Sequence, residues 1–112
     1  MSEQLSGRDL DRAITLALGK RLAPPIVEGG EWYGYGAGRW VDAIEPLTPF
    51  HGDANATLAV CAERGWYLSF TGNTALIAYP IGGDFARTHR GDGTTPQEAA
   101  ARALLAALTA SA

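Results

Sequence analysis

The residues best suited to chemistry lie in one aromatic and glycine-rich stretch, which runs from Gly29 to Trp40. Backbone N–H groups of glycine-rich segments can form anion-binding nests, and aromatic faces can stack on nucleobases. An arginine in the same stretch can pair with a phosphate in bidentate fashion. The stretch therefore predicts a site for a nucleotide-type ligand. Its candidate side chains are Trp32, Tyr33, Tyr35, Arg39 and Trp40.

These aromatics have a second interpretation, in which they close one end of a small hydrophobic core. Large aromatic side chains dominate the buried area of small cores, so this role alone would explain why they cluster. The glycines match neither a P-loop nor a dinucleotide-binding fingerprint. The stretch thus indicates a binding segment without naming its ligand.

A second polar cluster is predicted on the polar face of a sheet and in the turn that follows it. Arginine and histidine side chains grouped beside a tyrosine suit a phosphate or an acidic protein surface. The structural alternative is an edge strand whose charges discourage aggregation. The cluster consists of Tyr67, Arg87, His89, Arg90 and Asp92, of which Arg87 and His89 are predicted to bind the ligand.

Four side chains could take part in catalysis, but they form no constellation that indicates a reaction. They are His51, Asp53, Cys61 and His89. A Cys–His pair can act as nucleophile and base, yet Cys61 falls on the apolar face of a predicted helix, where a buried thiol is ordinary. The spacing of His51 and Asp53 matches no metal-ligand pattern. We therefore expect a binding protein with no catalytic residues, no metal site and no cofactor.

Composition indicates one small globular domain of 112 residues with a net charge of −3. The acidic balance argues against extended nucleic acid as a partner, because surfaces that bind it are usually strongly basic. A single cysteine allows no internal disulfide and favours a reducing compartment. The N-terminus carries no signal-peptide pattern. The most apolar stretch, Ala99 to Ala112, is too short for a membrane span, which needs ~20 apolar residues.

The first half of the chain predicts two helices and a long insertion between them. The first helix spans about 8–20, and Ser6 forms a capping-box-like pair with Asp9 at its start. Residues 26–50 form an aromatic and glycine-rich loop insertion, in which short strands can pair but a long strand cannot. The second helix starts near Asp53 and ends at Gly65.

A three-stranded meander follows, with strands at about 66–71, 74–81 and 84–90. Its turns are predicted at Gly72-Asn73 and at Gly82-Gly83. Alternation of side chains then sorts the strand residues into two faces. The apolar face collects Trp66, Leu68, Phe70, Ala75, Ile77 and Tyr79. The more polar face collects Tyr67, Ser69, Leu76, Ala78, Phe85, Arg87 and His89.

The last helix begins at a capping box over 95–98, with proline at the first helical position. Its buried stripe is Ala100, Leu104, Ala107 and Leu108. We expect this helix and the second one to cover the apolar sheet face. The predicted fold class is α+β: a small three-stranded antiparallel meander packed with about three helices, in an α-β-α sandwich-like arrangement.

Three stretches, which lie near the start, the middle and the end of the chain, resemble a known family. They are the helix 9–19 that ends in Gly19, the segment 49–53 that opens the second helix, and the alanine-rich closing helix 95–108. These stretches are similar to the phage ABA sandwich domain proteins, which are small products of bacteriophages and prophages. His51-Gly52 stands where that family usually has Ser-Thr. The resemblance implies a viral or prophage origin and action inside a bacterial cell, and it carries no established activity.

The preferred hypothesis is a phage-encoded, non-enzymatic counter-defence protein that acts in the bacterial host cytoplasm. It would sequester a small nucleotide-derived immune signal. Because one such domain is too small to enclose a dinucleotide, we expect a homo-oligomer with pockets at its interfaces. One alternative is a protein–protein inhibitor of a host defence complex, similar to an anti-CRISPR protein. Another is a structural or accessory protein of the phage.

Overall fold

The computed structural model describes residues 5–23, 33–35, 45–82 and 85–111. These residues form three helices: α1 (Gly7–Ala17), α2 (Ala54–Arg64) and α3 (Pro96–Ser111). A small antiparallel sheet contains β1 (Arg21–Ala23), β2 (Tyr33–Tyr35) and β3 (Glu45–Pro46). The main antiparallel sheet contains β4 (Tyr67–Thr71), β5 (Thr74–Gly82) and β6 (Phe85–Asp92). The predicted α+β class, with a three-stranded meander and three helices, is confirmed.

The small sheet lies mostly within the predicted insertion at 26–50. Its central strand β2 pairs Tyr35 with Arg21 on one side and Tyr33 with Pro46 on the other. The strands are only two or three residues long, as expected where glycines interrupt them. The first strand, β1, comes directly after α1, in a stretch for which the pattern predicts only a helix end.

Helix α1 ends before the basic pair at 20–21, so its predicted extent is too long. Gly19 adopts a φ of 84°, which turns the chain out of the helix and into β1. The predicted capping pair is wrong, because the Ser6 side chain makes no capping hydrogen bond. The Asp9 carboxylate instead pairs with Arg12, one turn further along the same helix.

Helix α2 begins and ends as its sequence predicts. The Asp53 carboxylate accepts a hydrogen bond from the Asn55 amide at 3.0 Å, which caps the helix. At the other end, Gly65 adopts a left-handed conformation with a φ of 72°.

The β4–β5 hairpin has the predicted register. Thr71 pairs with Thr74, and Gly72 has the positive φ, 59°, that a hairpin turn with glycine first requires. Leu68 therefore lies opposite Ile77, and Phe70 lies opposite Ala75. The predicted apolar face of these two strands is confirmed, since Ala75 and Ile77 are fully buried.

The third strand is shifted by one residue from its predicted register, and this exchanges its two faces. Gly82 pairs with Phe85, so the turn comes one residue later than predicted, and an irregularity between Pro80 and Gly82 changes the pairing again. Arg87 then lies opposite Tyr79, and His89 lies opposite Ile77. The prediction that Arg87 and His89 share a face with Tyr67 is therefore wrong.

Helix α3 packs unusually close to the main sheet. A Cβ on Gly91 of β6 would overlap the carbonyl oxygen of Ala99 and the amide nitrogen of Ala103. Glycine at position 91 and alanines on the helix thus allow the two backbones to touch. One half of the predicted capping box is formed, because the Glu98 amide donates to Thr95 Oγ1 at 3.1 Å. The Glu98 carboxylate accepts from the amide of Thr94, one residue before the cap.

The core forms around α3, which contacts all three strands of the main sheet and both other helices. Helix α2 also contacts β4, so the prediction that α2 and α3 cover the apolar sheet face is confirmed. The largest fully buried apolar side chains come from α1, α2, β5 and α3; they are Leu10, Ile14, Cys61, Ile77 and Leu104.

Candidate functional site

The aromatic and glycine-rich stretch falls largely outside the described residues. Trp32, Arg39 and Trp40 lie outside them, so their predicted role in ligand binding stays a prediction. Tyr33 and Tyr35 are described at the level of the backbone, as the two ends of β2. Pairing with β1 holds this strand close to the end of α1.

A groove of about 310 Å³ lies beside the point where α1 leads into the small sheet. Lys20 and Arg64 contribute cations to this groove, and Glu63 contributes a carboxylate. Leu18 and Val60 form its apolar part. Because Arg21, the next residue after Lys20, pairs with Tyr35, the backbone of the aromatic stretch passes close to the groove.

Three rings stack across the main sheet on the face that packs against the helices. The ring centroids of Trp66 and Tyr79 are 4.9 Å apart, and those of Tyr79 and His89 are 5.6 Å apart. The Arg64 guanidinium lies over the Trp66 ring, 5.3 Å from its centroid. We refer to Arg64, Trp66, Tyr79 and His89 as the ring column.

Strand pairing in the main sheet positions the rings of the ring column next to one another. The column runs from Trp66, the residue just before β4, across β5 to β6. The Tyr79 hydroxyl lies 3.0 Å from Nε2 of His89, which fixes the tilt of the two rings. The three rings are half-buried, whereas Arg64 is exposed. His89 ends the column on β6, an edge strand of the main sheet.

Arg87 lies beside the end of the ring column that is on β6. It is directly opposite Tyr79 and two residues before His89, so all three side chains project from one face of the sheet. Arg87 is exposed. A planar anion that stacks on His89 would therefore lie within reach of the Arg87 guanidinium.

The other members of the predicted polar cluster lie on the opposite face, which we call the outer face of the main sheet. Arg90 is opposite Leu76 and pairs with the Asp92 carboxylate at 3.1 Å. Hydrogen bonds from Thr74 and Arg90 hold the pKa of Asp92 below its usual value. The structure thus divides the predicted cluster, with Arg87 and His89 on one face and Tyr67, Arg90 and Asp92 on the other.

Trp66, Tyr79 and Arg64 were not among the predicted ligand-binding residues, although a signal for two of them was present. The register of the first hairpin places Trp66 and Tyr79 on one face, and Arg64 precedes Trp66 by two residues. Because Trp66 and Tyr79 lie on the apolar face of the predicted sheet, the sequence indicates only a core role for them and gives no separate reason to expect a site. The one-residue shift in β6 brings His89 onto them.

A buried carboxylate forms a second polar site between α1 and the segment before α2. Asp11 is fully buried and accepts hydrogen bonds from Arg8 Nη1 at 2.9 Å and from the His51 amide at 2.9 Å. Nδ1 of His51 lies 2.7 Å from Asp11 Oδ2. His51 thus contacts Asp11 instead of pairing with Cys61, and Asp53 serves as the cap of α2.

Cys61 is fully buried, and burial raises the pKa of its thiol to about 11. A nucleophilic cysteine needs a lowered pKa, so this thiol is unsuited to catalysis. Within the described ranges, no three histidine, cysteine, aspartate or glutamate side chains are grouped as metal ligands.

A groove of about 540 Å³ runs along β6 and α3. Its apolar part comes from Leu5, Leu10 and Leu105. Arg102 crosses it and donates to the carbonyl oxygens of Asp92 at 2.7 Å and Leu5 at 3.2 Å. These bonds, together with an ion pair to Glu98 at 3.0 Å, use Nε and Nη1 of the guanidinium.

No protein-family model, curated protein or solved structure matches the chain. The resemblance to the phage ABA sandwich domain proteins therefore stays a prediction. In the described part of the chain, none of the helices combines the length and the apolar character that crossing a membrane requires.

Proposed function

We propose that this protein is a non-enzymatic binding protein for a small nucleotide-type ligand, and that the ring column forms the floor of its site. The observation that carries the proposal is the stack of Trp66, Tyr79 and His89, which has an arginine at each end. A nucleobase can extend such a stack, and each stacked base contributes ~1–3 kcal/mol to binding.

Local charge supports an anionic ligand at this position. The chain as a whole carries a net charge of −3, yet Arg64 and Arg87 flank the column and Lys20 lines the adjoining groove. Phosphate groups would pair with these guanidinium and ammonium groups, while the base stacks on the rings. Arg39 and Trp40 of the aromatic stretch lie outside the described residues and remain predicted ligand-binding residues.

The biological role proposed for this binding is the sequestration of a nucleotide-derived immune signal in the cytoplasm of a bacterial host. This role rests on the resemblance of the sequence to the phage ABA sandwich domain proteins. One domain of 112 residues is too small to enclose a dinucleotide, so two or more copies would be needed.

A thermal-shift screen of the purified chain against nucleotides tests the proposal. The panel contains mononucleotides, linear and cyclic dinucleotides, cyclic oligonucleotides and cyclised ADP-ribose isomers. A ligand at 100 times its Kd adds ~2.7 kcal/mol to stability. For a domain of this size, each kcal/mol raises the melting midpoint by ~4–8 °C, so a true ligand gives a large shift.

Matched arginine variants locate the site. Arg87→Ala should weaken binding of the selected nucleotide about ten-fold or more, because a hydrogen bond to a charged group contributes ~1.5–3 kcal/mol. Arg90→Ala is the control, since Arg90 is an exposed arginine on the outer face of the same strand. Equal affinity in both variants would exclude the ring column, and Trp40→Ala would then test the aromatic stretch separately.

The outer face of the main sheet favours a second candidate, a protein–protein inhibitor of a host defence complex. Tyr67 is 73% exposed there, and Ile81 at the end of β5 is 54% exposed. Exposed aromatics of this kind are enriched in protein interfaces. Failure of every nucleotide to shift the melting midpoint, combined with capture of a defence protein that Tyr67→Ala abolishes, would favour this function over nucleotide binding.

A further inference from the structure

The pair formed by Asp11 and His51 has a geometry that the proposed binding function does not use. Asp11 is fully buried, and its Oδ1 accepts from the His51 amide while its Oδ2 accepts from the Arg8 guanidinium. Nδ1 of His51 lies 2.7 Å from the same Oδ2. Two separate contacts to one carboxylate therefore fix both the backbone and the ring of His51.

This arrangement determines which nitrogen of His51 carries the proton. A carboxylate oxygen that already accepts from a guanidinium can only accept again, so Nδ1–H of His51 donates to Asp11. In the neutral ring, Nε2 then holds the lone pair. The His51 side chain is 34% exposed, and within the described residues Nε2 has no hydrogen-bond partner.

The other histidine of the chain provides a natural comparison. In His89, Nε2 lies 3.0 Å from the Tyr79 hydroxyl, and the ring stacks on Tyr79. No carboxylate is bonded to His89 within the described part of the chain. Of the two imidazoles, His51 alone combines a free Nε2 with a buried anion behind the ring.

We propose that Nε2 of His51 is a phosphoryl-acceptor site, at which a small high-energy phosphoryl donor forms a phosphohistidine. The Nε2 lone pair forms the N–P bond while the bond from phosphorus to the leaving group of the donor breaks. With phosphoramidate as donor, ammonia leaves and the ring becomes a cation that keeps its proton on Nδ1. The Asp11 carboxylate stabilises this cation.

The experiment is treatment of the full chain with potassium phosphoramidate at neutral pH, followed by site mapping with mass spectrometry. Phosphohistidine is recognised because it is lost on acid treatment and retained at alkaline pH. We expect His51 to be phosphorylated at least ten-fold faster than His89. The variant His51→Gln should lose the modification, and His89→Gln should keep its full rate.

Asp11→Asn tests the role of the buried carboxylate, since it keeps the shape of the side chain and removes the charge. We expect His51 in this variant to react at about the rate of a free histidine amide, with circular dichroism used to establish that the chain is folded. Should the variant unfold, the ¹⁵N chemical shifts of His51 in the unaltered chain report its tautomer directly. Equal rates at His51 and His89 in the unaltered chain, or a proton on Nε2 of neutral His51, would overturn the proposal.

Discussion

At the scale of single residues, Thr57 stands out because its hydroxyl is buried and makes no hydrogen bond within the described part of the chain. A buried hydroxyl without a partner costs ~1–3 kcal/mol. Thr57→Val replaces the hydroxyl by a methyl group of the same shape. We therefore expect the free energy of unfolding to stay equal or to rise by about 1 kcal/mol, as measured by urea denaturation.

Thr15 offers the matched control for this substitution. It is also buried, but its Oγ1 donates to the carbonyl oxygen of Asp11 at 2.9 Å. Thr15→Val should lower the free energy of unfolding by about 1 kcal/mol, because it removes a satisfied hydrogen bond. If Thr57→Val proved as destabilising as Thr15→Val, the Thr57 hydroxyl would have a partner, such as a buried water.

Cys61 gives a second prediction at the residue scale, this time for pH dependence. Burial raises the pKa of its thiol to about 11, whereas the unfolded chain has the ordinary thiol value. The unfolded state therefore loses its proton first as the pH rises, and the contribution of the thiol to stability falls between about pH 8.5 and 11. Denaturant titrations at several pH values should show this loss.

Cys61→Ala supplies the control, because it removes the titrating group. The free energy of unfolding of this variant should be lower at neutral pH, since a small cavity forms in the core. Above pH 8.5, its free energy of unfolding should fall less than that of the unaltered chain. Ellman's reagent should label the thiol only when the chain opens. Rapid labelling of the native protein at neutral pH would contradict the burial of Cys61.

At the scale of secondary-structure elements, the close contact between β6 and α3 predicts a large effect of a single methyl group. Gly91→Ala places a Cβ where the backbone of Ala99 and Ala103 already lies. The strand and helix must separate, which typically costs ~1–3 kcal/mol and here involves backbone atoms that cannot rotate away. We expect the melting midpoint to fall by about 10 °C or more.

Gly52→Ala is the matched control for Gly91→Ala, because a Cβ at position 52 meets no atom within 4 Å. Its melting midpoint should stay within a few degrees of the unaltered chain. If both variants melted at the same temperature, α3 would not be packed against β6 as closely as described.

The elements themselves were largely predictable, because local signals mark their ends. Asp53 and Gly65 bound α2, and the Gly72-Asn73 turn fixes the register of the β4–β5 hairpin. The register of β6 was not predictable, because a later turn and an irregularity near Pro80 together shift the pairing by one residue. Proline and glycine within a strand favour a bulge, so Pro80 and Gly82 mark the region, but they do not specify the final pairing that decides the two faces.

At the scale of the whole molecule, the sequence indicated parts of the candidate site but not how they come together. Arg87 and His89 were predicted as ligand-binding residues, yet their neighbours Trp66 and Tyr79 were assigned only to the core. The contact between Asp11 and His51 joins residues 40 positions apart, and periodicity within one element cannot reveal it. Both sites depend on tertiary packing, so their geometry required the structure.

The outer face of the main sheet provides the last prediction, which concerns association between copies of the chain. Among the described residues, the helices pack against the opposite face, which leaves Tyr67 exposed and Leu76 half-buried. We expect the outer face to be buried against a second copy of the chain, so that light scattering after size exclusion gives a multiple of the mass of one chain.

Tyr67→Arg should shift the population to monomers, because a charge would be buried in the interface. Leu58→Arg, at an exposed position on α2, should leave the mass unchanged. A monomeric mass for the unaltered chain at high micromolar concentration would exclude this association.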